Sequence, residues 1–408
     1  MQNSPVVALM LALGIILFAA RIAGEIARKF DQPRVLGELI IGVVLGPTLL
    51  NMLHSQMLGL ADAHIDETII EMAELGVMLL MFKVGLEVNV GELKKVGVVA
   101  GIAGTVGAVL PVLLVLPIVM LFGYSWQQSL FAGVTLAATS VSISAQVLLE
   151  LGLLQTKEGN ALLATALIDD VIAILLVSLT VAITTTTGNV DLGGLLQIIV
   201  RMSLYLVIAF VLAWYGVPLV MQLLNKRFDL GKAYGNSAIG LVLAFVFGWA
   251  AQAFGGVAAI TGAFIAGVGL SRTSHHVKHQ IEEATNALAY AFLVPIFFVS
   301  VGLQTDLSRF PLDALPLAAV LLVLAIISKV VGCGLGAKLG GFSNQESFRL
   351  GVCMISRGEV GLIIASLGVS SGILQLDHPL FACLFLVILL TTVVTPPLVR
   401  RVFQPATA

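Results

Sequence analysis

Hydrophobic residues fall into thirteen runs, and polar residues are confined almost entirely to the links between them. The runs lie at roughly 5–28, 34–53, 69–88, 96–122, 127–152, 159–183, 193–223, 233–254, 256–271, 283–303, 313–338, 347–371 and 379–402. Each is read as a helix able to cross a bilayer. The pattern predicts an all-α membrane protein of about 13 transmembrane helices, with residues 1–408 forming a single transmembrane domain. The longest link, Asn51–Thr68, has room for a short surface helix, and no link is long enough for a separate domain.

Charge gives the runs a direction. Of the 21 Lys and Arg residues, fifteen fall in links on one side and only Arg309 on the other, while Arg21, Lys83, Arg201, Lys329 and Arg357 lie inside runs. Basic links stay cytoplasmic, so the N-terminus is expected outside and the C-terminus in the cytoplasm, as an odd number of spans requires.

The chain also echoes itself. Run 2 carries Gly37–Gly46 (GELIIGVVLG) and run 9 carries Gly262–Ser271 (GAFIAGVGLS). Run 3 ends in Leu79–Val90 (LLMFKVGLEVNV) and run 10 in Pro295–Leu307 (PIFFVSVGLQTDL). An offset of seven spans reverses direction through the membrane, which marks an inverted repeat. The expected layout is six spans (1–183), a linking helix (193–223) and six inverted spans (233–402). Repeats of this kind build secondary transporters whose site lies at mid-membrane on interrupted helices.

Two runs are built for interruption. Run 5 has Thr139, Ser140, Ser142, Ser144 and Gln146 in its middle and inner half, and its repeat mate, run 12, has Arg357-Gly358-Glu359 at its centre. Non-helical backbone at membrane depth is tolerated only where protein buries it or it lines a cavity. Freed carbonyls and half-helix ends there can steer a cation.

Run 6 holds the strongest chemical signal, Asp169-Asp170. A carboxylate at the bilayer centre costs roughly 2.5–3.5 kcal/mol to insert, so two in succession need a reason. Neighbours on a helix leave it about 100° apart, letting one face a cavity and the other a partner helix. The same geometry argues against an intramembrane aspartyl protease, which needs two aspartates facing each other from different helices. Lys329, at the middle of run 11, is too deep to snorkel and requires an anion; Asp169, Asp170 and Glu359 are the candidates.

Composition narrows the class further. The 408 residues are 59% hydrophobic and 11% charged, against roughly 25% charged in soluble proteins. Net charge is −2, without a basic run to suggest nucleic acid. Cys333, Cys353 and Cys383 lie in apolar runs without metal-ligand spacing and are read as packing residues. The first run has no early basic region or small-residue cleavage site and is read as a span. His275, His276 and His279 cluster on the expected cytoplasmic side.

Taken together, GELIIGVVLGP, VGLEVN, ATSVSISAQVL, LIDDV, PIFFVSVGLQTDL, SKVVG and SRGEVGLIIA resemble the bacterial monovalent cation:proton antiporter superfamily, over essentially the whole chain. The resemblance is to the branch of NapA-type sodium/proton antiporters and Kef-type potassium systems. It implies an NhaA-like antiporter fold with crossed, unwound runs 5 and 12, and a homodimer in the bacterial plasma membrane. It implies exchange of Na⁺ or Li⁺ for H⁺, without a cofactor or enzymatic activity. Asp170 would be the principal ion and proton carrier, Asp169 the partner of Lys329, Thr139 and Ser140 the crossing near the ion, and Arg357 and Glu359 the charged pair of the other broken helix. An Asp-Asp pair is the electrogenic form. The chain stops soon after run 13, and the absence of the regulatory domain of Kef-type systems weighs against glutathione-gated potassium efflux; the alternative is a K⁺/H⁺ antiporter or a Kef-type K⁺ efflux protein lacking that domain.

Overall fold

The computed structural model describes residues 5–404 apart from 56–57, 59, 61–64, 89–94, 186–191, 229–233, 305–309, 359, 362–363, 366–367, 369–372 and 375–378. Every regular element among the described residues is helical. In chain order they are α1 (Pro5–Lys29), α2 (Arg34–Leu45), α3 (Asp66–Glu87), α4 (Gly97–Leu121), α5 (Trp126–Ala137), α6 (Val141–Glu150), α7 (Lys157–Thr185) and α8 (Leu192–Val211). There follow α9 (Val217–Phe228), α10 (Gly235–Ala250), α11 (Ala259–Leu270), α12 (His275–Leu288), α13 (Val294–Leu303), α14 (Leu315–Leu339), α15 (Asn344–Cys353) and α16 (Pro379–Phe403).

Among the described residues nine segments are long and apolar enough to cross a membrane. The other four of the thirteen runs carry α2, α3, α11 and α15. Three of these have only 12, 12 and 10 residues, and α3 bears Glu71, Glu74 and Lys83 along its length.

The chain divides into two compact units, and neither follows the halves of the sequence. The first comprises residues 1–64, 92–195 and 299–408. Its centre is a sandwich in which α4 packs between α14 and α7. Small residues make the approach close: a Cβ on Gly336 would stand 2.5 Å from Ala103 Cα, and one on Gly104 would stand 3.0 Å from Thr165 O. Around this sandwich, Val115, Phe131, Leu321 and Leu384 belong to one continuous core, each fully buried. Two capping boxes, Ser125 with Gln128 and Ser343 with Glu346, start α5 and α15 by satisfying their first free amides.

The second unit comprises residues 65–91 and 196–298. Its helices α3 and α11 pack closely; π-helical turns interrupt its long helices at Leu212–Gly216 and Ala289–Leu293, and a third, Ala251–Gly255, ends the helix begun by α10.

Echoed glycines occupy close helix crossings. Within the first unit a Cβ on Gly302 would lie 2.2 Å from Val43 N and one on Gly42 would lie 2.2 Å from Val299 O. Within the second, a Cβ on Gly85 would lie 2.2 Å from Phe264 O and one on Gly267 would lie 2.2 Å from Phe82 O. Gly42 and Gly267 hold the same place in the echoed motifs, as do Gly302 and Gly85. The same pair of positions thus makes a backbone-to-backbone crossing in each unit, where any side chain would push the helices apart.

Candidate functional site

The site lies within the first unit, where two helices lose their hydrogen-bond ladder at one level. Run 5 is helical as α5, extended at Ala138 (φ −62°, ψ 141°) and Ser140 (φ −93°, ψ 103°), and helical again as α6. Run 12 is helical as α15 and leaves the helix after Met354. The two unwound stretches satisfy one another. Ser140 N donates to Ser356 O at 2.9 Å and Ser356 Oγ donates to Ser140 O at 2.6 Å, while Ser144 Oγ donates to Cys353 O at 2.5 Å. Gly358 belongs to this contact, since a Cβ there would stand 2.7 Å from Ser140 Oγ. Buried backbone groups freed by the breaks thereby find partners without water.

Arg357 closes the crossing. It is fully buried, and its guanidinium donates to Leu136 O (2.7 Å), Ile355 O (2.5 Å), Met354 O (3.2 Å) and Ala325 O (3.0 Å). Leu136 lies at the end of α5, and Met354 and Ile355 directly follow α15, so one cation serves the negative ends of both half-helices. Thr392 of α16 donates to Arg357 O from the other side. The arginine is therefore held by carbonyls, and Glu359 lies outside the described residues.

Asp169, on α7, meets Lys329, on α14. Lys329 Nζ stands 2.6 Å from Asp169 Oδ1, and neither side chain has any exposure. The approach depends on α4, whose Gly104 lets α7 close and whose Gly107 faces Cys333 and Gly332 of α14. The second oxygen, Asp169 Oδ2, is buried and has no hydrogen-bond partner among the described residues, and the same is true of Thr139 Oγ1. Asp170 is half-buried where its neighbour is sealed, so the two carboxylates occupy different environments from adjacent positions.

Thr165 was not singled out by the sequence. Its hydroxyl is likewise buried without a partner among the described residues, one turn before Asp169 on the same face of α7. Its signal was available only as an i, i+4 relation to the acid pair.

The ends of these helices are tied. Lys157 Nζ lies 2.9 Å from Glu346 and Arg349 Nη1 lies 2.9 Å from Glu158, a crossed pair of bridges joining α7 to α15. Glu346 lies outside the spanning part, and its carboxyl is held below the ordinary value of 4.5, first by the hydrogen bond from Lys157 and then by that from the Ser343 amide. At the same end of α6, Glu150 accepts from Gln146 Nε2 at 3.0 Å and from the Arg34 amide at 2.9 Å. Lys83 of α3, buried in the second unit, is paired locally with Glu87 at 2.7 Å.

A sequence profile described as "Sodium/hydrogen exchanger, transmembrane" matches residues 12–404. The chain belongs to this family. It is 33% identical over 397 residues to the Na⁺/H⁺-K⁺ antiporter GerN of Bacillus cereus, covering 96% of this chain and 95% of that one. It is 35% identical to an Na⁺/H⁺ antiporter of Enterococcus hirae, covering 95% and 96%. It is 33% identical to the high-affinity Na⁺/H⁺ antiporter NhaS3 of Synechocystis, covering 97% and 90%. Its fold is similar to the solved structure of the sodium proton antiporter MjNhaP1 of Methanocaldococcus jannaschii, with a TM-score of 0.68 at 16% identity over 97% of this chain and 98% of that one. Family and fold together make this a multi-pass membrane transporter of all-helical architecture.

Proposed function

We propose that the chain exchanges Na⁺ for H⁺ across the bacterial plasma membrane by alternating access, with Asp170 as carrier of both ions. The observation that carries this reading is the sealed Lys329–Asp169 pair, with a carboxylate oxygen that has no partner among the described residues, beside a half-buried second carboxylate. The names of the relatives from Bacillus, Enterococcus and Synechocystis support the choice of ions.

In the proton-loaded state Asp170 is neutral and Asp169 is paired with Lys329⁺. Sodium arriving at Asp170 displaces its proton and draws on Asp169 Oδ2, Thr139 Oγ1 and the hydroxyl of Thr165, all lacking partners among the described residues. As Asp169 turns to the cation, Lys329⁺ loses its counter-ion in a low-dielectric site and gives up a second proton. Two protons then cross for one sodium, and the cycle moves one net charge. Ser140, with the crossing behind it, positions Thr139. Arg357 keeps both half-helices in place throughout, and Glu359 completes the charged pair on run 12. No cofactor takes part, and the only bonds made and broken are those to the carried protons on Asp170 and Lys329.

The remaining features of this reading are an inverted repeat of 1–183 and 233–402 about the linking helix 193–223, a homodimer, and a cytoplasmic C-terminus. Li⁺ is carried in place of Na⁺. The name of GerN includes K⁺, and this favours K⁺/H⁺ exchange as the second reading.

The test uses the full chain in proteoliposomes with a pH-sensitive dye across Na⁺, Li⁺ and K⁺. Proton movement on adding Na⁺ or Li⁺ is expected. A response to K⁺ alone selects the second reading, and no response to any cation overturns both.

A further inference from the structure

Arg201 lies inside run 7 and the exchange site leaves it unused. It stands nine residues into α8, about 14 Å along the axis from Leu192. Its side chain is exposed, yet it is held firmly. Nε donates to Phe254 O at 2.6 Å and Nη2 donates to Ala253 O at 2.7 Å. Those carbonyls belong to the π-helical turn Ala251–Gly255, which ends the helix begun by α10 and leaves its last acceptors free to take an outside donor. The bonds fix the position of the guanidinium but leave its charge uncompensated. Both acceptors are neutral, and among the described residues no carboxylate pairs with Arg201.

From this arginine an apolar groove of about 630 Å³ runs between α8 and α10. Leu204, Ile208 and Leu212 line one wall in sequence away from Arg201, and Val246 and Ala250 line the other. Leu204 is 57% exposed and Leu212 53%, so no other described segment of this chain covers the groove. Trp249 and Phe254, edge to face at 5.1 Å, stand at the arginine end. The arrangement is directional, with a cation and aromatic rings at one end and aliphatic walls leading away. Aromatic rings of this kind sit at headgroup level. A cation within a spanning helix needs an anion, and on a face open to lipid the anion at hand is a lipid phosphate.

We infer that this groove binds one phospholipid, with its phosphate on Arg201 and an acyl chain along Leu204, Ile208 and Leu212. The π-helical turn serves the site by supplying the carbonyls that aim the guanidinium outward. The inference is independent of which ions the protein exchanges.

Native mass spectrometry of the full chain, released from detergent with added phosphatidylglycerol, tests this. One phospholipid should remain bound at collision energies that strip all others. Arg201→Gln should weaken its retention roughly tenfold or more, as loss of a charge-assisted hydrogen bond does, and Arg201→Lys should keep most of it. Leu204→Trp, which fills the groove from an exposed position without touching the Arg201 bonds, should abolish retention while leaving thermal stability intact. Equal retention in all four proteins overturns the proposal. So does displacement of the lipid by millimolar inorganic phosphate, which would make this a free-anion site. A fall in mass from two copies to one in Leu204→Trp also overturns it, because a second copy of the chain would then be the occupant.

Discussion

Lys329 and Asp169, 160 residues apart in sequence, form an ion pair of 2.6 Å in which neither side chain reaches solvent. A pair of this kind is poor evidence for stability, because desolvation of both charges offsets their attraction. Its significance is that the two charges depend on each other. Whatever draws Asp169 away strands Lys329⁺, and whatever removes the proton from Lys329 strands Asp169.

That dependence predicts strong non-additivity. Lys329→Ala and Asp169→Ala should each destabilise the protein by about 3–5 kcal/mol, since each leaves a buried charge alone. The double variant should be more stable than either. Thermal unfolding of the four proteins in one detergent measures the cycle, and additive losses would remove the coupling.

Transport should be electrogenic. Sodium jumps on solid-supported membranes should give a sustained current, moving one net charge per cycle, worth roughly 2.3 kcal/mol per 100 mV of membrane potential. Asp169→Asn combined with Lys329→Gln should leave exchange without current. An electrically silent wild type that still exchanges would show that Lys329 keeps its proton throughout.

Asp170→Asn should lower cation-driven proton movement at least about 100-fold, a barrier change of roughly 2.7 kcal/mol. Unfolding temperature should stay near that of wild type, because the half-buried Asp170 is outside the sealed pair. Robust exchange by a folded Asp170→Asn protein would remove it from the carrier role.

Arg357→Ala should destabilise by on the order of 3 kcal/mol or more, since it leaves the carbonyls of Leu136, Ala325, Met354 and Ile355 short of their donor. Arg357→Lys should recover only part, because a single ammonium cannot span acceptors on separate segments. Unfolding temperatures read this directly, and full rescue by lysine would mean that charge alone matters at the crossing.

The link between α7 and α15 should weaken in acid. The folded Glu346 carboxyl sits below its ordinary 4.5, so the folded state binds its proton more weakly than the unfolded state does. The stability it contributes is complete above about pH 4.5 and is lost as pH falls through the lowered value. The gap in unfolding temperature between wild type and Glu346→Gln should be constant above pH 5 and close below that window. A gap that persists undiminished at lower pH would assign the effect to the Ser343 cap alone.

Much of this protein is determined locally. Run length and the placement of Asp169-Asp170, Lys329 and the serine-rich break follow from sequence, because in lipid every backbone group must be satisfied within its own helix and every buried charge stands out. The echo of Gly42 with Gly267 and of Gly302 with Gly85 is legible for a similar reason, as only glycine admits so close an approach. What sequence left open were the pairings. Taken by themselves the residues offered Lys329 three carboxylates, among which only the family resemblance named Asp169; the structure pairs it with Asp169, where Gly104 and Gly107 let α4 draw α7 and α14 together. It set Arg357 beside Glu359 as a charge, whereas the guanidinium's described bonds run to carbonyls of α5, α14 and the unwound stretch after α15. For Thr165 it gave only an i, i+4 relation to the acid pair, and the hydroxyl is left without a partner among the described residues once the helices close around it. Periodicity reports which face of a helix is apolar. Which faces meet is settled by small-residue seams between segments far apart in the chain, and those exist only once the chain is folded.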